Sequence, residues 1–473
     1  MRWYSVVKPI SFCLLLGLEF ALVRPALAAE VPQYQIEPCC QICPQILEDS
    51  TYKGDLSEVR KLFQGQDDWL FRSRVDLMIP MGTTPQGYAN LQQLRDTLKK
   101  KGVELLIVYI PARGIANARM LSSAERQGFD YELAKRNYLA VIERMRSLGI
   151  LVPDLSPLLS GSGQEDKPLF FKRDHHWTPY GAEFTARLVV EEMRKYGALK
   201  SIPRKEFITH SAGLMNKVGS LNTAFQKICG YRYANQFVPR FITEQKDEST
   251  DLFGEADAPE VVLAGTSFST QQYNFDGFLK QYANVDVDNR SLSGGGFQGA
   301  MLQYLDSQDF RDKPPKILIW EITSYHDLGL PLFYRQVMPI IADGCRSTPA
   351  AISHKVVLQP GKNEVLVNSD VKSIRSDNYI ADIQFSNADV KELHGVLWYM
   401  NGTKETLSIS RGRAAEADGR FVFRLRDDPE FAEQTLLSLE IDMPADLPSG
   451  LEVEAKVCQR ADKSNAQLQA ATD

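Results

Sequence analysis

The chain has 473 residues, 44 % of them hydrophobic and 24 % charged, with a formal net charge of −6. That composition describes a folded protein of two to three domains and excludes a disordered or fibrous chain. The acidic balance leaves no general basic field, so nucleic acid is not an expected partner, and a polyanionic ligand must be met by a local cluster of Arg and Lys.

The first element is a targeting segment. Arg2 and Lys8 give a positive start, "ISFCLLLGLEFALV" is a short apolar run, and "PALAAE" carries the small-residue pattern of a signal peptidase site near Ala28 or Ala29. The run is too short for a stable membrane span. Residues 1–29 are therefore read as a cleaved secretory signal rather than a retained anchor, although Glu19 and Arg24 make it imperfect. Of seven cysteines, Cys13 leaves with the signal. The others, Cys39, Cys40, Cys43, Cys229, Cys345 and Cys458, are even in number, which in an exported chain reads as disulfides. The pairs expected are Cys345 with Cys458, at the two ends of the C-terminal segment, and the "CCQIC" cluster, entered through Cys43, with Cys229. Zinc competes for "CCQIC", but no second CxxC or nearby His pair completes a four-ligand set, so no metal is expected.

From about residue 85 the pattern alternates helix and buried strand. "PQGYANLQQLRDTLKKKG" has helical spacing and ends in Gly; "VELLIVYIP" is a continuous β-branched and aliphatic run, as in a strand covered on both faces. The pair recurs as "ELAKRNYLAVIERMRSLG" with "ILVPDL", and again through "EVVLAG", "FDGFLKQYA", "VDVDNRSL", "FQGAMLQYLDS" and "KILIWEI". This predicts an α/β domain over residues 30–345, a mostly parallel sheet flanked by helices with its chemistry beyond the carboxyl ends of the strands. After Cys345 the runs become short and alternating, separated by "PGKN", "NGT", "ADG" and "LPSG", which predicts an all-β sandwich over 346–473.

The motif "RDHHWTPYG" carries the chemistry. It holds two of the six histidines. Thr178 followed by Pro179 starts a helix, so Asp174 and His176 lie in the turn before it, where residues two apart point the same way. The carboxylate can then take one ring N–H of His176 and leave the other nitrogen as a base. In "VVLAGTSFST" a buried strand runs into Gly265, Thr266 and Ser267 and on into a helix, which exposes the serine at the sheet edge and turns nearby N–H groups towards a developing oxyanion. A serine ending a strand is usually an ordinary turn residue. Its weight here comes from an Asp-x-His turn in the same domain. In "SLSGGGFQGAM", Gly294, Gly295 and Gly296 offer amides for an oxyanion hole, with a bland flexible turn as the competing reading. Alternation turns His175 away from Asp174, so His176 is taken as the base and His175 as a wall of the cleft; Trp177, beside it, is placed with the substrate-binding residues. In the sandwich, "ELHGVLWYM" puts Leu393, Leu397 and Tyr399 on one face and His394, Val396 and Trp398 on the other. If the first face is core, Trp398 is free to lie against a sugar ring, and Lys404, Arg411 and Arg413 to meet carboxylates.

"GQDDWLF", "DHHWTPYGA", "GTSFS" and "SGGG", in that order, resemble the periplasmic alginate O-acetyltransferases, an SGNH-like hydrolase family in which the Asp-x-His pair precedes the serine. The resemblance covers the mature chain, including "LWYMNG" and the late cysteines. It implies that Asp174 orients, His176 is the base, Ser267 is the nucleophile and Tyr273 lies near the substrate. It also implies a periplasmic location, no cofactor, polymannuronate as acceptor, a carbohydrate-binding role for the β domain, and partners in an alginate synthesis and export complex that include an acetyl donor. The protein itself is expected to be a monomer. Two departures from ordinary SGNH enzymes stand out: Thr266 replaces the Asp of G-D-S-L, and the His motif is upstream and of the form D-x-H. The helper asparagine of those enzymes has no clear counterpart, Asn274 being the nearest candidate. The same triad would also serve an acetylesterase, and a polymer-holding scaffold with a vestigial triad is the rival from another class.

Overall fold

The computed structural model describes residues 42–59, 61–121, 128–160, 167–246 and 258–462. The signal segment, Cys39 and Cys40 lie outside them. A short hairpin, β1 (Leu62–Gln64) and β2 (Leu70–Arg72), precedes the main sheet. The sheet is parallel, its strands in the order β3 (Glu104–Ile110), β8 (Ile317–Thr323), β6 (Val261–Ala264) and β7 (Asp288–Asn289). Around it lie α1 (Pro85–Lys100), α2 (Tyr131–Ser147), α3 (Pro179–Arg194), α5 (Phe275–Ala283), α6 (Gly299–Leu305) and α7 (Pro331–Ile341). Every residue of β3 and β8 is buried, which is why these strands read as unbroken apolar runs rather than as alternation.

Two predicted strands are shorter than expected. "ILVPDL" makes only a bridge from Leu151 to Leu106, because Pro153 has no N–H with which to extend the ladder. "VDVDNRSL" pairs as a strand only at Asp288 and Asn289, on the sheet's open edge, although Arg290 and Leu292 still donate to Leu263 and Gly265.

Between α3 and β6 the chain forms an antiparallel ribbon, β4 (Phe207–Lys217) and β5 (Gln236–Gln245), with α4 (Ser220–Cys229) between its strands. Cys229, the last residue of α4, is bonded to Cys43, and α4 packs with the N-terminal segment in a satellite core of Ile46, Leu62, Leu70, Leu221 and Phe225.

The second domain is two four-stranded antiparallel sheets with a core between them. One runs β10 (Gly361–Val367), β15 (Leu436–Met443), β12 (Glu392–Tyr399), β13 (Lys404–Ser410); the other runs β14 (Arg420–Arg424), β11 (Tyr379–Phe385), β16 (Glu452–Gln459), β9 (Ala350–Val357). Cys345 and Cys458 are bonded, 113 residues apart, and join the core of the first domain. Arg420, 1 % exposed, crosses between domains: it takes Asp382 in two bonds of 2.7 and 3.0 Å and Asp306, just after α6, at 3.0 Å. No helix among the described residues is long and apolar enough to cross a membrane.

Replacing Arg420 by Met removes the shared cation, leaving Asp382 without a cation among the described residues and Asp306 with only its longer pairs to Arg311 and Arg411, at 3.7 and 3.9 Å. The expected loss is about 3–5 kcal/mol, read as a fall in the melting temperature that Arg420→Lys only partly reproduces.

Candidate active site

Three segments of the chain converge: the loop around Asp174, the turn after β6 that carries Ser267, and the start of α4. The first is a tight loop closed by a bond from the Phe171 N–H to the His176 carbonyl, 3.2 Å, with Asp174 inside it. Thr178 then caps α3 by accepting the Gly181 N–H at 3.2 Å, with Pro179 as the first helical residue. Within the loop, Asp174 Oδ1 accepts both the backbone N–H of His176, 2.9 Å, and its Nδ1–H, 2.5 Å. With the proton on Nδ1, Nε2 carries the lone pair, and it lies 2.8 Å from Ser267 Oγ. The side chains of Ser267, His176 and Asp174 thus form one continuous chain of hydrogen bonds.

The second oxygen of Asp174 is met by a part of the chain that the motifs do not announce. Ser220, the first residue of α4, donates its N–H to Asp174 Oδ2 at 2.7 Å, so a helix N-terminus points at the carboxylate. Gly219 makes this approach fit: its φ is +91°, and a Cβ there would stand 2.2 Å from the Arg173 carbonyl oxygen. Lys217, at the end of β4, lies 3.6 Å from the same oxygen and donates to the Tyr273 hydroxyl at 2.7 Å. The only local sign of either residue is the "GS" helix start.

Burial pushes the Asp174 carboxyl up, but the His176 bond and the charges of His176, His175 and Lys217 outweigh it and hold the group well below the usual range. Burial lowers His176; the Asp174 bond and charge oppose this, Lys217 and Arg72 reinforce it, and the imidazole ends below its ordinary 6.5. His176 is therefore neutral, and a base, at pH 7. His175 is driven well down by burial and the charge of His176. It turns from Asp174 to Ser220, with Nδ1 2.7 Å from the hydroxyl, and its ring stacks 3.7 Å from that of His176.

Other expected site residues land differently. Trp177 is fully buried and does not reach the cleft; its Nε1–H holds the Phe268 carbonyl at 2.9 Å, bracing the turn that carries Ser267. Tyr273 is also fully buried, 5.2 Å from the His176 ring, with burial forcing its phenol upward. Asn274 donates to Thr243 at 2.9 Å. Gly294 and Gly295 lie against the second domain, where a Cβ on Gly412 would stand 3.0 Å from the Gly294 carbonyl; the Gly295 N–H turns back to Leu292, and Gly296 is exposed. Asp174, His175 and His176 offer ligand atoms within 4.8 Å of one another, but a metal there would take nitrogens now bonded to Asp174, Ser220 and Ser267.

On β12 the alternation holds. Leu393, Leu397 and Tyr399 are core, while His394, Val396 and Trp398 face outward. Trp398 pairs across the strands with Lys404, whose Nζ lies 5.5 Å from the indole centroid, and His394 Nδ1 meets the Ser408 hydroxyl at 3.0 Å. Arg411 does not join this face. It is held inward by the Arg420 carbonyl, Asp418 and the Phe421 ring, while Arg413 is exposed in the turn beyond β13.

Residues 62–324 match the family model described as an SGNH hydrolase-like domain, acetyltransferase AlgX, and residues 344–471 match a C-terminal carbohydrate-binding module. The chain is 45 % identical to the alginate biosynthesis protein AlgX of Pseudomonas aeruginosa, over 94 % of this chain and 95 % of that one. It is 38 % identical to the AlgX of Azotobacter vinelandii, over 94 % and 95 %. The probable alginate O-acetylase AlgJ of P. aeruginosa matches 54 % of this chain at 29 % identity, covering 68 % of its own length. The solved structure of P. aeruginosa AlgX superposes with a TM-score of 0.83 over 89 % of this chain and all of that one.

The electrostatics set a pH dependence. Ser267 reactivity towards a sulfonyl fluoride is expected to rise with pH along a limb whose His176 ionisation lies below 6.5. Lys217→Met removes a cation that disfavours imidazolium and so moves that ionisation to higher pH; mass-resolved labelling rates check the direction.

Proposed function

As the chain belongs to the SGNH hydrolase-like AlgX acetyltransferase family, we propose that it is a periplasmic polysaccharide O-acetyltransferase that moves acetyl groups through Ser267 onto mannuronate hydroxyls of alginate. The observation that carries this reading is the unbroken run from Asp174 through His176 to Ser267, at 2.5 and 2.8 Å. His176 Nε2 takes the serine proton as Oγ attacks the acetyl carbonyl of the donor. The tetrahedral intermediate collapses, His176 returns the proton to the leaving group, and acetyl remains on Ser267. A sugar hydroxyl then loses its proton to the same nitrogen and attacks the acyl-enzyme, and His176 reprotonates Ser267. Asp174 stays ionised throughout and stabilises the imidazolium formed in each half.

What separates transfer from hydrolysis is the attacking oxygen, and here the β domain contributes. A polymer held by the Trp398–Lys404 face, ring against indole and uronate carboxylate against ammonium, keeps its hydroxyls at high effective concentration near the acyl-enzyme. The two disulfides suit an oxidising compartment. The acetyl comes from a partner protein, and the other partners are components of the same synthesis and export machinery. The acceptor follows from the similarity to AlgX and to the probable alginate O-acetylase AlgJ.

Mass spectrometry of oligomannuronate after incubation with a surrogate acetyl ester tests the proposal. Acetylated oligomer is expected with the native protein and falls roughly 10³-fold or more with Ser267→Ala; acetate release without acetylated sugar would make the protein an esterase. Trp398→Ala is expected to weaken oligomannuronate binding about tenfold, some 1.4 kcal/mol, while labelling of Ser267 by a sulfonyl fluoride proceeds unchanged.

A further inference from the structure

Beneath the Ser267 turn lies a carboxyl that the proposed reaction does not use. Glu321 is on β8, one residue past Trp320, the partner of Ala264, and the parallel register sets it beside Gly265. It is fully buried. Its Oε2 accepts the Thr266 N–H at 2.7 Å, the Thr266 hydroxyl at 3.0 Å and the Ser269 hydroxyl at 3.0 Å, and its Oε1 lies 3.1 Å from the Thr266 hydroxyl. The Thr266 oxygen in turn accepts the Phe268 N–H at 3.3 Å. Thr266, Phe268 and Ser269, the residues around Ser267, are thus tied directly or through one hydroxyl to a single carboxyl group. Gly265 permits the approach, since a Cβ there would stand 2.7 Å from Oε2.

Such a group is expensive in stability. Among the described residues no cation pairs with Glu321; Tyr325, just past the end of its own strand, is the titratable neighbour that feels its charge, and burial pushes the carboxyl up to about 7. A neutral side chain of the same shape would avoid that desolvation. The geometry accounts for an acid here: three donors converge on one group, and only a carboxylate accepts all of them. Once protonated, Glu321 must itself donate, and the three groups now donating to it no longer meet a full carboxylate.

We infer that Glu321 is a positioning residue for the nucleophile: its ionised carboxylate holds the turn from Thr266 to Ser269 in the shape that keeps Ser267 Oγ on His176 Nε2. The inference rests on Ser267 being the nucleophile. It adds a second ionisation to the reactivity of that serine, distinct from that of His176, and it predicts that stability and reactivity move in opposite directions when the charge is removed.

The test is the rate at which a sulfonyl fluoride labels Ser267, followed by intact mass with no sugar or acetyl donor present. In Glu321→Gln, labelling above both ionisations is expected to slow about 10- to 100-fold, the effect of a misplaced reacting atom. The melting temperature at that pH stays level or rises, and the acid limb loses one of its two protons. A variant that labels at the native rate with the native limb overturns the inference. If Glu321→Gln does not fold, Thr266→Val removes the hydroxyl relay and keeps the shape; it should label several-fold more slowly, and a native rate there is equally fatal. A native protein that takes no label at Ser267 refutes the nucleophile itself, an outcome separable from both.

Discussion

The carboxylate of Asp174 is where the first domain is held together as a chemical device. It is buried and ionised, a state that a protein interior tolerates only when the charge is fully donated to. The donors come from three parts of the chain: the backbone and ring of its own loop through His176, the first amide of α4 through Ser220, and the ammonium of Lys217 at the end of β4. Each fixes something else in turn. His176 reaches Ser267, Ser220 turns His175 aside, and Lys217 holds the Tyr273 hydroxyl. The β4–β5 ribbon and its intervening helix supply two of these partners, Lys217 and Ser220.

Beyond the Cys345–Cys458 bond and the Arg335–Glu405 pair, two contacts between the domains stand out. One is electrostatic and deeply buried, Arg420 among Asp382 and Asp306, and fixes the orientation because a bidentate guanidinium accepts little misalignment. The other is steric: the glycine run after β7 lies against Gly412, backbone near backbone. That loop leaves the sheet at Leu292, whose N–H goes to the Gly265 carbonyl beside the nucleophile turn. The chain therefore passes from Ser267 to the domain seam within about thirty residues.

Much of this was legible in the primary structure, for identifiable reasons. The parallel sheet could be read because strands buried on both faces leave unbroken apolar runs, and the sandwich because its strands alternate; the outward placement of Trp398 followed from counting by two. The hydrogen-bonded run of Asp174, His176 and Ser267 could be anticipated because "DHHWTP" and "GTS" are local patterns whose geometry is set within a few residues. What stayed hidden is non-local. Ser220 and Lys217 reach Asp174 only after a ribbon has folded over the site, and Glu321 looks like an ordinary member of "KILIWEI" until the register places it beside Gly265. Trp177 and Arg411 were misjudged for the complementary reason: residue type describes what a side chain can do, while the neighbours that absorb it come from segments far along the chain.

Helix α4 carries two unrelated jobs at its two ends. Its first residue supplies the amide that fixes Asp174, and its last, Cys229, is covalently joined to Cys43 near the start of the described chain. Ten residues of rigid helix thus connect a sulfur–sulfur bond to the carboxylate that aligns the base. The amide that meets Asp174 is thereby held by a helix with a covalent anchor at its other end, an anchor that a polypeptide still in reducing surroundings lacks.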